Sequence, residues 1–328
     1  MKAKSKNTNI VFKNQPKLSE HEVQNNMNER RINLVPLIKD FISTHNSFIG
    51  KEVSVTFSHK GVGSLVTIID TVEEKQILKV SLGSHGVGEA QFLKVWEKAG
   101  VKVPHVKEAG ILSGYSYTLM EYIDAPILGE AFSGKELIQK KIRYEMGSIL
   151  SVMHKPKAQG YGRVVEGKAK YKEFNEWILS EDIRKRFEYI KENSLLGDEH
   201  GSLSVAIQTL IEHTNNENIS SYCHDDFGSS NMFATTPITV FDPNPNFNNR
   251  YMDLGRTILM MLTQPKQEEA IMQLIEGYFK SKQYDKKVLY ASVLLNAYIK
   301  FFNWHKTNKL KTIENVQEYL IHNKHLLN

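Results

Sequence analysis

Residues Tyr222–Pro243, YCHDDFGSSNMFATTPITVFDP, gather a histidine, three aspartates and an asparagine among short apolar runs. Like charges this close repel one another, and burial penalises each of them. The stretch is therefore either a solvated loop or the wall of a site for something cationic. ISSYC reads as a strand leading in, NMFAT and ITVF as a hairpin around Thr236-Pro237, and Asp242 falls at its far end. Such a hairpin returns Asp242 to the side of Asn231 and Asp226. Two carboxylates and a carboxamide oxygen make a hard-oxygen donor set suited to Mg²⁺, whose shell water and phosphate oxygens complete.

The 328 residues exceed the usual size of one domain, so two lobes are expected. A 41% hydrophobic and 24% charged composition argues against wholesale disorder. Cys223 is the only cysteine, which rules out an internal disulfide and a four-cysteine zinc site and makes a cytoplasmic location the expectation. MKAKSKNTNIVFKNQPKLSE lacks the apolar core of a signal peptide, and no run approaches the roughly 20 apolar residues of a membrane span. No membrane association is expected. The net charge of +5 invites a nucleic-acid partner, but the opening stretch lies in the acidic third: residues 124–242 hold 14 Lys/Arg against 18 Asp/Glu. Basic residues elsewhere are scattered without interleaved aromatics, so no nucleic-acid binding is expected.

Residues 1–20 read as a flexible polar arm. NLVPLIKDFIS carries Leu34, Ile38 and Phe41 at helical spacing. From Val53 the period shortens to two. VSVTFSHKGVGSLVTIID alternates as two strands around a glycine turn, KQILKVSL adds a third, and GEAQFLKVWEKAG is a helix closed by Gly100. After GYSYTLMEYI, another strand, the chain is mainly helical and interrupted by one hairpin. These patterns predict an α+β fold: a sheet-rich amino-terminal lobe over 21–123 and a larger helical lobe over 124–328.

The spacing His224-x-Asp226-x₄-Asn231, with Asp242 ending the hairpin, matches the arrangement that kinases use for phosphoryl transfer. There an aspartate faces the substrate hydroxyl while an asparagine and a later aspartate hold metal. Short patterns recur by chance, so the order of the other parts matters. A turn able to cover phosphates, SHKGVGS with Gly61 and Gly63, comes first; Lys79 follows on a strand; Glu89 opens the next helix within reach of Lys79. Each has a plain alternative. The glycines also suit an ordinary hairpin, Lys79 and Glu89 also suit a solvated surface, Met120 and Tyr122 also suit a strand core, and Asp225 reads as a solvated or capping neighbour.

The chain resembles the aminoglycoside phosphotransferase family, the small-molecule branch of the kinase-like fold that also holds choline, homoserine and methylthioribose kinases. The resemblance runs from about Leu34 onward through LMEYI, MGSILSVMHKPKAQGYGRV, HDDFGSSNMF, ITVFDP and YMDLGR; DFGSSN looks most like the string of hygromycin phosphotransferases. It implies a two-lobed protein-kinase-like fold using ATP and Mg²⁺. Asp226 would be the catalytic carboxylate, Asn231 and Asp242 the metal ligands, Lys79 the partner of the nucleotide phosphates and Glu89 its positioning residue. The backbone of Glu121 and Ile123 would face adenine, His224 would brace the loop, and Asp253 would be structural. Asp225 departs from the family's usual small residue, Pro243 from its usual aromatic, and His59-Lys60 from the usual glycine turn.

The expected activity is direct transfer to a hydroxyl of a small molecule, either an aminoglycoside-type antibiotic, which implies a resistance role, or a metabolite of the choline, homoserine or sugar type. For a cationic antibiotic the acceptor surface should be acidic, with Glu181, Asp182, Glu268 and Glu269 as candidates. A kinase-like binding module without transfer is the alternative, but the complete Lys79, Asp226, Asn231 and Asp242 set argues against it. FDPNPNFNNRYMDLG leaves little room for the peptide-docking loop of a protein kinase.

Overall fold

The computed structural model describes residues 8–19, 25–82, 86–196, 200–217, 219–280 and 282–327. The chain forms two compact units. The first runs to Lys94 and adds Val103–Asp124 and Val165–Gly167; the second comprises Val95–Lys102, Ala125–Val164 and Lys168–Asn328.

The first unit contains β1 (Asn9–Phe12), α1 (Asn25–Asn33), α2 (Val35–Thr44), β2 (Glu52–Phe57), β3 (Ser64–Asp70), β4 (Lys75–Ser81), the start of α3 (Gly86–Lys98), β5 (Val106–Leu112) and β6 (Tyr115–Glu121). Its six-stranded sheet has the order β1-β2-β3-β4-β6-β5. Alternation sends Val53, Val55, Phe57, Leu78, Val80 and Leu119 into one core, which α2 closes with Ile38, Phe41 and Ile42. The opposite face of the same register carries Val66, Lys79 and Thr118 side by side. The expected polar arm is corrected here: Asn9–Phe12 pairs in parallel with Glu52–Val55. Ile10 and Phe12 pack against the core, and that apolar burial outweighs the polar composition around them. Residues 1–7 and 20 of the expected arm lie outside the described residues.

Arg31 shows no exposure and is surrounded by backbone oxygens. It donates to the carbonyls of Pro16 at 3.2 Å, Gly61 at 2.6 Å, Ser64 at 2.5 Å and Ser58 at 2.5 Å. One guanidinium thus ties both ends of the glycine turn between β2 and β3 to the helical layer, using the fork of donors that arginine alone supplies.

The second unit contains the end of α3, α4 (Leu128–Ala131), α5 (Gly134–Gln139), α6 (Ile142–Met153), β7 (Lys157–Ala158), β8 (Tyr161–Val165), β9 (Lys168–Tyr171), α7 (Phe174–Ile178), α8 (Glu181–Glu192), α9 (His200–Glu217), β10 (Ser220–Cys223), β11 (Met232–Phe233), β12 (Thr239–Val240), β13 (Asn246–Asn248), α10 (Arg250–Met261), α11 (Glu268–Phe279), α12 (Lys286–Lys306) and α13 (Leu310–Asn323). The helix α12, apolar on nearly every side, is the buried axis against which α8, α9, α10 and α13 pack. At the α10–α12 crossing a Cβ on Gly255 would lie 2.2 Å from Ser292 Oγ, so this close approach requires glycine. The expectation of one hairpin among helices is also corrected. Besides the β11–β12 hairpin, short strands form a five-stranded sheet in the order β7-β10-β13-β8-β9.

Removing the Arg31 fork by Arg31→Met would leave several turn carbonyls without their donor. Chemical denaturation is expected to show a loss of roughly 2–4 kcal/mol. Arg31→Lys should recover only part of it, since one ammonium cannot reproduce the planar fork. Unchanged stability in Arg31→Met would contradict this role.

Candidate active site

In the first unit the pleat places Lys79 on the face away from the core, and its Nζ lies 2.8 Å from Glu89 Oε1 and 2.7 Å from Oε2. The two side chains retain only 11% and 6% exposure. Ordinary surface charges do not pair this way, so the solvated reading of Lys79 and Glu89 fails. Gly61 has φ +89°, the left-handed region that favours glycine, and a Cβ there would lie 3.7 Å from Val66 Cγ2, beside Lys79 in the register. Gly63 accepts from Leu82 N at 3.0 Å and has open space at its Cβ position. Glu121 ends β6, with its amide donating to His105 O at 2.9 Å, and Ile123 follows two residues later.

In the second unit β10 runs down the sheet interior and releases the chain at His224. The stretch that follows is shaped by one buried carboxylate. Asp253 Oδ2 accepts the amide of His224 at 2.7 Å and Oδ1 that of Asp225 at 2.8 Å, while His154 Nε2 donates to Oδ2 at 3.0 Å. His154 Nδ1 in turn lies 2.8 Å from the Tyr278 hydroxyl. Burial pushes the Asp253 carboxyl up, but the His154 hydrogen bond and the neighbouring amide outweigh it and hold Asp253 below the ordinary aspartate value. These bonds fix Asp225 in the left-handed conformation, φ +56°. Asp225 is half-buried, accepts from Asn244 Nδ2 at 2.8 Å, and is pushed up by burial against the pull of Arg256. The reading of Asp225 as merely solvated is therefore corrected.

Asp226 is exposed, and its Oδ2 accepts from Asn231 Nδ2 at 2.9 Å. The same Nδ2 donates to Asp226 O at 2.8 Å, which leaves Asn231 Oδ1 as the oxygen to offer a cation. Asp242 is tethered on both sides. Before it, Phe241 N donates to Asn231 O at 3.0 Å and Phe241 O accepts from His224 Nε2 at 3.0 Å; after it, Asn244 N donates to His224 O at 2.9 Å. The hairpin thus joins the Asp226, Asn231 and Asp242 segments through hydrogen bonds. His224 itself is fully buried and stacked on Trp96, ring centroids 5.7 Å apart. The donor set of Asn231 and Asp242, one carboxamide and one carboxylate with no soft ligand, fits Mg²⁺. A tighter cluster of His154, Cys223 and Asp253 is wholly buried, and its carboxylate is already occupied by the loop amides.

No family model and no curated protein matches this chain. Solved structures do. The aminoglycoside phosphotransferase APH(4)-Ia aligns over 89% of this chain and 98% of its own with TM-score 0.59 at 12% identity. A thermostable mutant of it, in ternary complex with ADP and hygromycin B, aligns over 84% and 95% with TM-score 0.61 at 12% identity. The Plasmodium vivax ethanolamine kinase aligns over 95% and 97% with TM-score 0.55 at 12% identity. The fold is that of the small-molecule kinases. No described helix of this kinase-like chain is long and apolar enough to cross a membrane.

Sequence reasoning did not find the cavity of about 370 Å³ inside the second unit, which Arg163, Asp182, Arg186, Asp225, Arg256 and Lys300 help to line. Nor does the expected acidic surface form there. Glu181 and Asp182 on α8 pair with Lys185 and Arg186, and Glu268 and Glu269 stay exposed at the start of α11. The available hint was Lys300, a charge interrupting the apolar run of α12 four residues after Asn296.

Asp253→Asn removes the charge that the His154 and loop hydrogen bonds stabilise, and a loss of roughly 3–5 kcal/mol is expected at neutral pH. Because its folded value lies below the ordinary 3.8, the Asp253 contribution is complete above that pH and is lost as pH falls through the lower folded value. Denaturation across pH 2–7 should therefore show a shallower acid limb in Asp253→Asn, and parallel curves would contradict the assignment.

Proposed function

We propose that this chain is an ATP-dependent O-phosphotransferase acting on a hydroxyl of a small molecule. The observation that carries the reading is the loop in which Asp226, Asn231 and the Asp242 segment are joined by hydrogen bonds, with Asp226 exposed. The buried Lys79–Glu89 pair supports a nucleotide-phosphate role for Lys79 in the first unit, beside the Gly61 and Gly63 turn. Backbone groups of Glu121 and Ile123 would receive the adenine. The likeness to a phosphotransferase crystallised with ADP and hygromycin B supports the same reading.

In the proposed step the acceptor hydroxyl hydrogen-bonds Asp226, which orients it and takes its proton as the oxygen attacks the γ-phosphorus of ATP in line. The bond to the bridging oxygen breaks and ADP leaves with its electron pair. Asn231 Oδ1 and the Asp242 carboxylate would hold Mg²⁺, which neutralises phosphate charge when bound. Lys79, aligned by Glu89, holds the nucleotide phosphates. Asn231 also restrains the Asp226 carboxylate through Nδ2, so the base is pre-set rather than recruited.

Within this reading a metabolite hydroxyl is favoured over a polycationic aminoglycoside, because Arg256 and Lys300 line the cavity beside Asp225. An antibiotic-resistance role is correspondingly disfavoured. A cytoplasmic setting accompanies this reading, and the buried Cys223 thiol, pushed well up by burial, takes no part in the chemistry.

Asp226→Asn preserves volume while removing the base. Turnover is expected to fall roughly 10²–10⁴-fold while ATP–Mg²⁺ affinity and melting temperature stay near wild type. A parallel loss of stability and all activities would instead make Asp226 a loop-stabilising residue. For the metal, calorimetry should find that Mg²⁺ tightens ATP binding in wild type and that Asp242→Asn loses most of this gain. Equal Mg²⁺ enhancement in both proteins would remove Asp242 from the metal site.

A further inference from the structure

Arg256 on α10 is only 6% exposed, and its buried Nε has no hydrogen-bond partner among the described residues. Buried guanidinium groups ordinarily satisfy their donors, because an unsatisfied one pays its full desolvation cost. Lys300 on α12 lines the same cavity. Burial first, and then the Arg256 charge, push its ammonium down to about 8. Two cations thus face one space, where the Arg256 charge disfavours the charged form of Lys300.

The neighbouring carboxylates offset these charges only through space: Arg256 acts on Asp225, which in turn acts on Lys300, without a direct ion pair among the described residues. Asp253 is occupied by His154 and two amides, Asp225 by Asn244, and Asp226 by Asn231. Asp182, the remaining acid on the wall, pairs with Arg186 at 3.2 Å. Among the described residues none of these acids lies within 4 Å of Arg256 or Lys300 as an ion pair. Asp225 and Asp226 still act on Lys300 through space, so the cationic pair and the Asp226 end of the loop share one electrostatic environment.

We propose that the cavity between α10 and α12 binds a small organic anion, and that the phosphate acceptor is an anionic hydroxy compound held by Arg256 and Lys300 with its hydroxyl toward Asp226. The class is a carboxylate or a phosphate ester carrying a free hydroxyl, of a size that about 370 Å³ accommodates. The buried Arg256 supplies the planar donors that such oxyanions accept, and Lys300 supplies a point charge whose desolvated state an anion relieves. The acceptor assignment rests on the phosphotransferase reading, whereas the anion site itself does not. The four cations Arg256, Lys300, Arg163 and Arg186 outnumber the lining acids Asp182, Asp225 and Asp253, so the cavity disfavours a polycation.

Calorimetry on the full chain, without nucleotide, tests the site with gluconate as the carboxylate probe, glycerol 3-phosphate as the phosphate probe, and choline and hygromycin B as cations. At least one anion is expected to bind, with affinity falling tenfold or more in both Arg256→Met and Lys300→Met, and neither cation should bind as tightly. Lys300, half-buried near the end of α12, provides the variant whose folding is least at risk, and thermal melting confirms each fold. The preferred probe distinguishes carboxylate from phosphate ester. Absence of binding by both anions, equal binding in folded Lys300→Met, or tighter binding of a cation would overturn the proposal. ATP–Mg²⁺ titration of the same samples separates the two readings. Intact anion binding without nucleotide binding would sink the kinase reading, while nucleotide binding with turnover of choline or hygromycin B alone would sink the anionic acceptor.

Discussion

The second unit depends on a carboxylate placed where no solvent reaches it. Asp253 receives the amides of His224 and Asp225 and the ring of His154, so a burial that would ordinarily neutralise an aspartate instead holds it ionised. The loop after β10 has no helix or sheet partners for those two amides. Asp253 replaces them, and its anchoring permits the left-handed backbone at Asp225. From that fixed point the geometry propagates: His224 reaches Phe241, Asn244 reaches back to His224, and Asn231 clamps Asp226. Polar groups left half-satisfied here would be costly, and a complete set gives a rigid frame.

In the first unit the corresponding constraint is a buried cation. Arg31 gathers the carbonyls of Ser58, Gly61 and Ser64, so the glycine turn is held from behind by a helix rather than resting on its own hairpin bonds. Lys79 and Glu89 are held differently, by each other. Removing one member of such a pair leaves the other charge buried, which makes the pair interdependent. Arg256 and Lys300 contrast with all of these. They are cations brought together with no carboxylate in direct contact among the described residues, so Asp225 offsets them only through space.

What could be read from the sequence follows the range of the interactions involved. Strands β2, β3, β4 and β6 alternate within themselves, and their inward residues are those that form the core. The Lys79–Glu89 pair was legible because a strand and the next helix lie close in the chain. The Asp226, Asn231 and Asp242 grouping was legible because a hairpin is a local object. β1 was missed because its polar surroundings hide Ile10 and Phe12, whose partners lie on β2. β7, β8, β9 and β13 are too short, and too interrupted by glycine or lysine, to show a period. Arg31 carries no local signal, because the carbonyls it gathers lie about thirty residues away on the turn between β2 and β3. The cationic cavity was invisible because α10 and α12 bring Arg256 and Lys300 together only through packing made possible by Gly255 against Ser292.

The proposed transfer of a phosphoryl group to a carbon-bound hydroxyl is an event that phosphorus NMR reads directly. The wild-type chain would be incubated with ATP, Mg²⁺ and a pool of small hydroxy acids, polyol phosphates, amino alcohols and amino sugars. If transfer occurs, loss of the γ-phosphate resonance is matched by ADP and a new phosphoester resonance, with little inorganic phosphate. ATP left intact across the whole pool, or ADP appearing with inorganic phosphate as the only other product, would contradict it.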